Sequence, residues 1–192
     1  MSTQARRRRE RAEREQLIIT AARELAEAEG WEAVTTRRLA DRVEYSQPVL
    51  YSHFAGKDAI MAAVAVEGFA ELAADLRAAR VSAGDDRQAL AAVARAYVAF
   101  AERRPAIYDA MFSRAVDLPF ATPEAPDALH AGFDELRQVV RSVAAGDDEG
   151  MLTEVLWSGL HGLATLTRGG RLPRGHHEQR LALLLDRFSH LR

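Results

Sequence analysis

This sequence predicts an all-α fold in two parts, and three observations carry the prediction. Apolar residues recur at helical spacing along the chain, with no strand-like alternation. The stretch Thr35 to Lys57 holds two short helical patterns separated by a tight turn. The last two helical patterns have apolar faces too wide for one bundle to cover. The expected architecture is a three-helix helix-turn-helix domain over residues 1–57, then a larger helical bundle over 58–192 that ends in a two-helix dimerisation face.

The first helix is expected from about Arg8 to Glu29, with Leu17, Ile18, Ala21, Ala22, Leu25 and Ala28 as its apolar stripe and Gly30 as its terminator. Trp31 and Val34 then help close the small core. Thr35 suits the N-cap of the second helix, where Leu39, Ala40 and Val43 face inward. Ser46 suits the N-cap of the third, with Pro48 in the first turn, where a missing N–H costs nothing. Leu50 and Phe54 turn inward, and Ala40 is small where the two helices cross.

The outward face of that third helix carries chemistry suited to a duplex major groove. Pro48, Val49, Ser52 and His53 lie opposite Leu50, Tyr51 lies on the flank, and Gln47 sits at the tip. A glutamine amide can bond a base edge in bidentate fashion, and a valine can touch a thymine methyl. Tyr51, His53 and Lys57 can donate to phosphates.

Beyond Lys57 a helix is expected to about Arg80, with Ile60, Val64, Leu72 and Leu76 inward. Others follow from Asp85 or Asp86 to Arg103 and from Pro105 to Phe112, and then a proline-rich loop from Ser113 to Pro126. A helix from Asp127 to Ala145 is ended by Gly146, and the last two run from Met151 to Arg168 and from His177 to Leu191.

A chain of 192 residues, 48% hydrophobic and 28% charged, can bury a sizeable core. It has no cysteine, which excludes disulfides and thiolate metal sites and makes a reducing cytoplasm the expected setting. The longest apolar run, Ala59 to Val66, is far too short for a membrane span, and no secretory leader is expected. The net charge of −2 conceals an uneven distribution: residues 1–57 hold 11 Lys+Arg against 9 Asp+Glu. Six arginines fall between Met1 and Arg14. Such a segment is either a solvated tail or an arm that follows a phosphate backbone or enters a minor groove.

Thr36, Arg37, Leu39, Ala40, Val43, Gln47, Pro48, Leu50, Tyr51, His53, Phe54 and Lys57, in this order and spacing, resemble the DNA-binding domain of the TetR family of bacterial transcriptional regulators. The resemblance implies that Thr36, Arg37, Ser46, Gln47, Pro48, Val49, Tyr51, His53 and Lys57 meet DNA. One departure is Glu44, which stands in the turn where the family usually has glycine. The segment LWSGLHG, Leu156 to Gly162, resembles the Trp, His and Gly signature of a WHG-type C-terminal domain through Trp157, His161 and Gly162.

The same resemblance implies a homodimer that pairs its last two helices through Leu152, Val155, Leu156, Leu163, Leu181, Leu184, Leu185 and Phe188. It also implies a small-molecule effector bound in the larger domain, where Tyr97, Phe100, Tyr108, Met111, Phe112, Phe133, Trp157 and His161 are the candidate lining. No phosphate-cradling glycine loop, nucleophile elbow or HExxH helix is present, so catalysis, cofactor and metal are not expected. The expected function is a sequence-specific DNA-binding regulator, a repressor released from an inverted-repeat operator in double-stranded DNA by its effector. The rival from another class is a helical carrier or interaction protein whose basic front meets a membrane or a protein.

Overall fold

A computed structural model of the chain describes residues 3–112, 116, 118–120 and 122–189. Among them are nine α-helices and no strand: α1 (Thr3–Glu29), α2 (Thr36–Arg42), α3 (Gln47–His53), α4 (Lys57–Val81), α5 (Asp86–Arg103), α6 (Pro105–Phe112), α7 (Asp127–Arg141), α8 (Glu149–Arg168) and α9 (His177–Ser189). The predicted loop after α6 lies partly outside the described residues, as does the predicted end of the last helix at Leu191. The helices divide into two units, Met1–Gly68 with Arg104–Phe120, and Phe69–Arg103 with Ala121–Arg192.

In the first unit α1 is the central strut. Its buried stripe is Ile18, Ile19, Ala21, Ala22, Leu25 and Ala26. Leu17, 46% exposed, and Ala28 fall outside it, because each lies about 100–120° around the helix from the centre of that stripe. Gly30 takes φ +82° and ends the helix, its N–H donating to the Ala26 carbonyl at 2.8 Å. Leu39, Leu50, Ile60 and Val64 complete the core from α2, α3 and α4.

Helix α6 also belongs to this unit, which its position in the chain does not announce. The Glu27 carboxylate accepts the N–H groups of Ala106 at 3.2 Å and Ile107 at 3.1 Å, satisfying two of the unpaired donors at the start of α6. The Trp31 indole donates to the Ala106 carbonyl at 2.7 Å. Gly68 lets α6 approach α4 closely: a Cβ there would lie 2.5 Å from Ile107 Cγ2.

The second unit is a bundle of α5, α7, α8 and α9 with the Phe69-to-Val81 half of α4. Its core includes Leu72, Leu76, Leu90, Val93, Tyr97, Phe100, Leu136, Val140, Leu156, Leu160, Leu181 and Phe188. Asp85 caps α5 by accepting the Gln88 N–H at 2.8 Å, and Asp148 caps α8 by accepting that of Met151 at 2.8 Å. Arg80 of α4 pairs with Glu135 of α7 at 2.7 Å. Helix α7 stops at Arg141 and not at the predicted Ala145, because the chain reverses through Ala145 and Gly146 at φ +48° and +102°.

Candidate nucleic-acid interface

The α2–α3 turn shows how locally this motif is specified. The Thr35 hydroxyl accepts the Arg38 N–H at 3.2 Å, as its position before α2 predicts. The turn closes with the Tyr45 N–H on the Ala40 carbonyl at 2.9 Å, across Glu44 at φ +57°. A glutamate held there costs about 1 kcal/mol relative to glycine. The Ser46 hydroxyl makes no capping hydrogen bond, contrary to expectation, although Pro48 does occupy the first turn of α3.

Leu50 is fully buried and Phe54, just past the end of α3, half-buried, so the opposite side of the helix faces outward. That side carries Gln47, Pro48, Val49 (38% exposed), Tyr51 (51% exposed) and Ser52. Thr36 Oγ1 lies 3.4 Å from the Tyr51 hydroxyl, so the two candidates share a hydrogen bond between α2 and α3. Ser52 Oγ donates to the Val49 carbonyl at 2.6 Å. Ser46 and Arg37 are exposed.

Two predicted contacts are placed differently. The His53 side chain is only 6% exposed, with Nδ1 3.4 Å from Glu15 Oε1, so it turns toward α1 and not outward. Lys57 Nζ donates to the Trp31 carbonyl at 2.6 Å, tying the start of α4 to the α1–α2 connection. Both partners are distant in sequence, which helical spacing cannot reveal. The neighbouring arginines are engaged as well: Arg38 makes a bidentate pair with Glu29 at 2.8 and 2.9 Å, and Arg42 meets Glu24 at 2.7 Å. Hydrogen bonding from Arg38 holds the Glu29 carboxyl below the usual carboxylate range. Sequence reasoning also missed Arg11, which donates to the Ser52 carbonyl at 3.2 Å while pairing with Glu15 at 2.8 Å. The i, i+4 spacing of Arg11 and Glu15 was the available signal.

The eight candidate effector residues are drawn from both units. Tyr108, Met111 and Phe112 belong to the first unit, and Tyr97, Phe100, Phe133, Trp157 and His161 to the second. Tyr97 and Phe100 are fully buried core, whereas Phe133, Trp157 and His161 are half-buried. The Trp157 indole donates to the Tyr97 hydroxyl at 3.0 Å, and that hydroxyl lies 3.5 Å from His161 Nδ1. Burial first, and then the Arg168 charge, push the His161 pKa down from its ordinary 6.5.

The predicted dimerisation residues divide by burial. Leu156, Leu181 and Phe188 are buried within their own unit, where α8 and α9 pack closely over Gly159, and so are unavailable to a partner. Val155 is 57% exposed, and Leu152, Leu163, Leu184 and Leu185 are half-buried. Met151, Leu166 and Leu183 are exposed apolar residues absent from the predicted set. Among the described residues no helix is long and apolar enough to cross a membrane, and no cluster of three or more His, Asp or Glu side chains suits a metal.

Comparison with known proteins agrees with this geometry. Residues 18–64 match the family model "Bacterial regulatory proteins, tetR family", and residues 90–188 match "Tetracyclin repressor-like, C-terminal domain". The chain is 34% identical over 103 residues to the uncharacterized HTH-type transcriptional regulator YobS of Bacillus subtilis, across 54% of this chain and 53% of that protein. It is 33% identical over 102 residues to the HTH-type transcriptional activator FasR of Mycolicibacterium smegmatis, across 53% of this chain and 47% of that one. The chain therefore spans about half the length of these curated relatives. The structure of a protein of unknown function from Rhodococcus sp. RHA1 superposes with a TM-score of 0.74 at 29% identity, covering 91% of this chain and 93% of its own. With the helix-turn-helix matched by one model and half of the chain by the other, the chain belongs to the TetR family of bacterial regulatory proteins, which are regulators and not enzymes.

Proposed function

We propose that this protein is a cytoplasmic, homodimeric, DNA-binding repressor of transcription that holds an inverted-repeat operator and is released by a small molecule. The observation that carries the reading is the outer face of α3. Gln47, Pro48, Val49 and Tyr51 project from a helix whose opposite side is buried through Leu50. A seven-residue helix reaches only a few base edges, too few to select one genomic site, so two copies related by a two-fold axis are needed.

The exposed stripe of α8 supports the dimer. Met151, Val155, Ser158, Gly162 and Leu166 fall within about 80° of one another around the helix at 3.6 residues per turn. Gly162 faces open space and Ser158 is small, so a second helix can approach there. Self-association through this stripe and Leu183 of α9 would remove apolar surface from water. The effector reading rests on the family and narrows to the second unit, where Phe133, Trp157 and His161 are half-buried beside the Tyr97 hydroxyl.

Val155→Glu tests the reading, because it places a charge in the stripe of both subunits without touching either core. Light scattering with footprinting on the DNA upstream of its own gene should show a dimer protecting two half-sites for the unaltered chain. The variant should be a folded monomer that protects neither. A Val155→Glu protein that stays dimeric, or a monomer that still protects both half-sites, would overturn the proposed interface or its role.

A further inference from the structure

The N-terminal arginines lie on a helix and not in an irregular tail. Helix α1 begins at Thr3, and residues 3–17 carry no buried side chain, so about 22 Å of helix precedes its core-facing stripe. Arginine and glutamate are good helix formers, and the pairs Arg6–Glu10 at 3.4 Å and Arg11–Glu15 at 2.8 Å add i, i+4 support.

Charge is segregated around this extension. At about 100° per residue, Arg7, Arg8 and Arg14 fall within about 60° of Arg11, in a sector whose one carboxylate, Glu15, is paired with Arg11, whereas Glu10, Glu13, Arg6 and Arg9 fall outside it. The direction of the basic side is fixed by contact with α3. Arg11 donates to the Ser52 carbonyl at 3.2 Å, and Glu15, one turn on, meets His53 at 3.4 Å. Among the described residues no carboxylate pairs with Arg7, Arg8 or Arg14, and all three are exposed.

We infer that Arg7, Arg8 and Arg14 form a phosphate-tracking stripe that grips the DNA backbone beside the bases read by α3; the inference rests on the reading of α3 as the DNA-facing helix. Arginine suits the task because its planar fork of donors matches a phosphate and never loses its charge. The stripe rises about 10 Å from Arg7 to Arg14, the axial span of about three phosphates on one strand. It touches no base edge, so it contributes affinity and dependence on salt without sequence preference. An extended arm threading a minor groove is not needed, since the segment is a helix joined to the C-terminal end of α3.

The test is the full-length chain carrying Arg7→Gln, Arg8→Gln and Arg14→Gln together. Glutamine keeps helix propensity, and circular dichroism checks that the helix persists. Binding to a random-sequence duplex is measured by anisotropy across a salt series. Three lost phosphate contacts should flatten the slope of log K against log salt by about 2.7 per protomer. The affinity gap between the two proteins should therefore be about 40-fold wider at 50 mM than at 200 mM salt. Arg6→Gln, on the opposite side, should change the slope by less than about one contact's worth. An unchanged slope in the triple variant, or an equal loss from Arg6→Gln alone, would overturn the stripe while leaving DNA binding by α3 intact. Failure of the unaltered chain to bind duplex at any salt would instead remove the DNA reading and the stripe with it. Phosphatidylglycerol vesicles that bind the unaltered chain but not the triple variant, with the DNA slope unchanged, would assign the stripe to a membrane and overturn the proposal.

Discussion

Replacing Gly68 with alanine sets two effects of known size against each other, and the geometry decides the sign. Glycine inside a helix is about 1 kcal/mol worse than alanine, so helix propensity alone makes Gly68→Ala stabilising. The new Cβ, however, would lie 2.5 Å from Ile107 Cγ2 and 2.8 Å from Met111 Sδ, where carbon atoms prefer about 3.5–4.0 Å. Met111 can shift its flexible thioether. Ile107 cannot move its branch without moving α6, and α6 is held by Glu27 through two N–H groups and by Trp31 through the Ala106 carbonyl. Overpacking of this kind costs about 1–3 kcal/mol, so the net effect should be a loss of about 1 kcal/mol and a Tm lower by about 2–4 °C.

Urea titration and thermal melting of the two proteins provide the assay. Ile107→Leu moves the branch off Cβ and removes Cγ2, so adding it to Gly68→Ala should restore about 1 kcal/mol and reveal the propensity gain. A Gly68→Ala protein more stable than its parent by about 1 kcal/mol would refute the reasoning, because it would mean that α6 does not sit against this face of α4.

Three further outcomes are expected. Gln47→Ala should cost about 1–3 kcal/mol on the cognate site in a binding titration and leave random DNA unchanged; equal losses on both would remove Gln47 from base readout. Tyr97→Phe strips partners from the Trp157 indole and His161 Nδ1 and should lower stability by about 1–3 kcal/mol in urea, whereas a neutral result would show that these groups reach other partners. Because the folded-state pKa of His161 lies below its ordinary 6.5, the unfolded chain binds the proton more readily, so the stability it contributes is present above that pH and is lost as pH falls through the folded value. The urea midpoint should therefore drop on acidification below 6.5 and drop less in His161→Gln; parallel pH profiles would refute this.

The helix-turn-helix was legible because the contacts that define it are short-range. Thr35 caps a donor three residues away, Leu39 and Leu50 face the core at positions their spacing dictates, and Pro48 marks a first turn. What stayed hidden was the choice of distant partner. Helical spacing predicts α6 but not the helices it packs against, so its place in the chain puts it with the larger bundle whereas it clusters with the first unit. Trp31 was legible as structural, yet its acceptor, the Ala106 carbonyl, lies 75 residues away. The same limit affected α8 and α9. Every apolar residue there reads alike in sequence, whereas the structure buries Leu156, Leu181 and Phe188 where α8 and α9 meet and leaves Val155 exposed.

Charge was the least legible property, for a reason that bears on how such a protein meets DNA. Eleven basic residues before the end of the motif suggest a broadly cationic front. Pairing divides them. Arg23 meets Glu67, Arg38 meets Glu29, Arg42 meets Glu24, and Lys57 donates to a backbone carbonyl, so these four hold α1, α2 and α4 in register. A surface pair of this kind adds little to stability, but it fixes a guanidinium's direction and offsets its charge locally. The cations left near α3 are then Arg37, which follows Thr36 and its contact with Tyr51, and the stripe of α1, whose Arg11 meets the Ser52 carbonyl. A field that steers DNA depends on these few charges and their placement, and neither the net charge of −2 nor the count of arginines measures it.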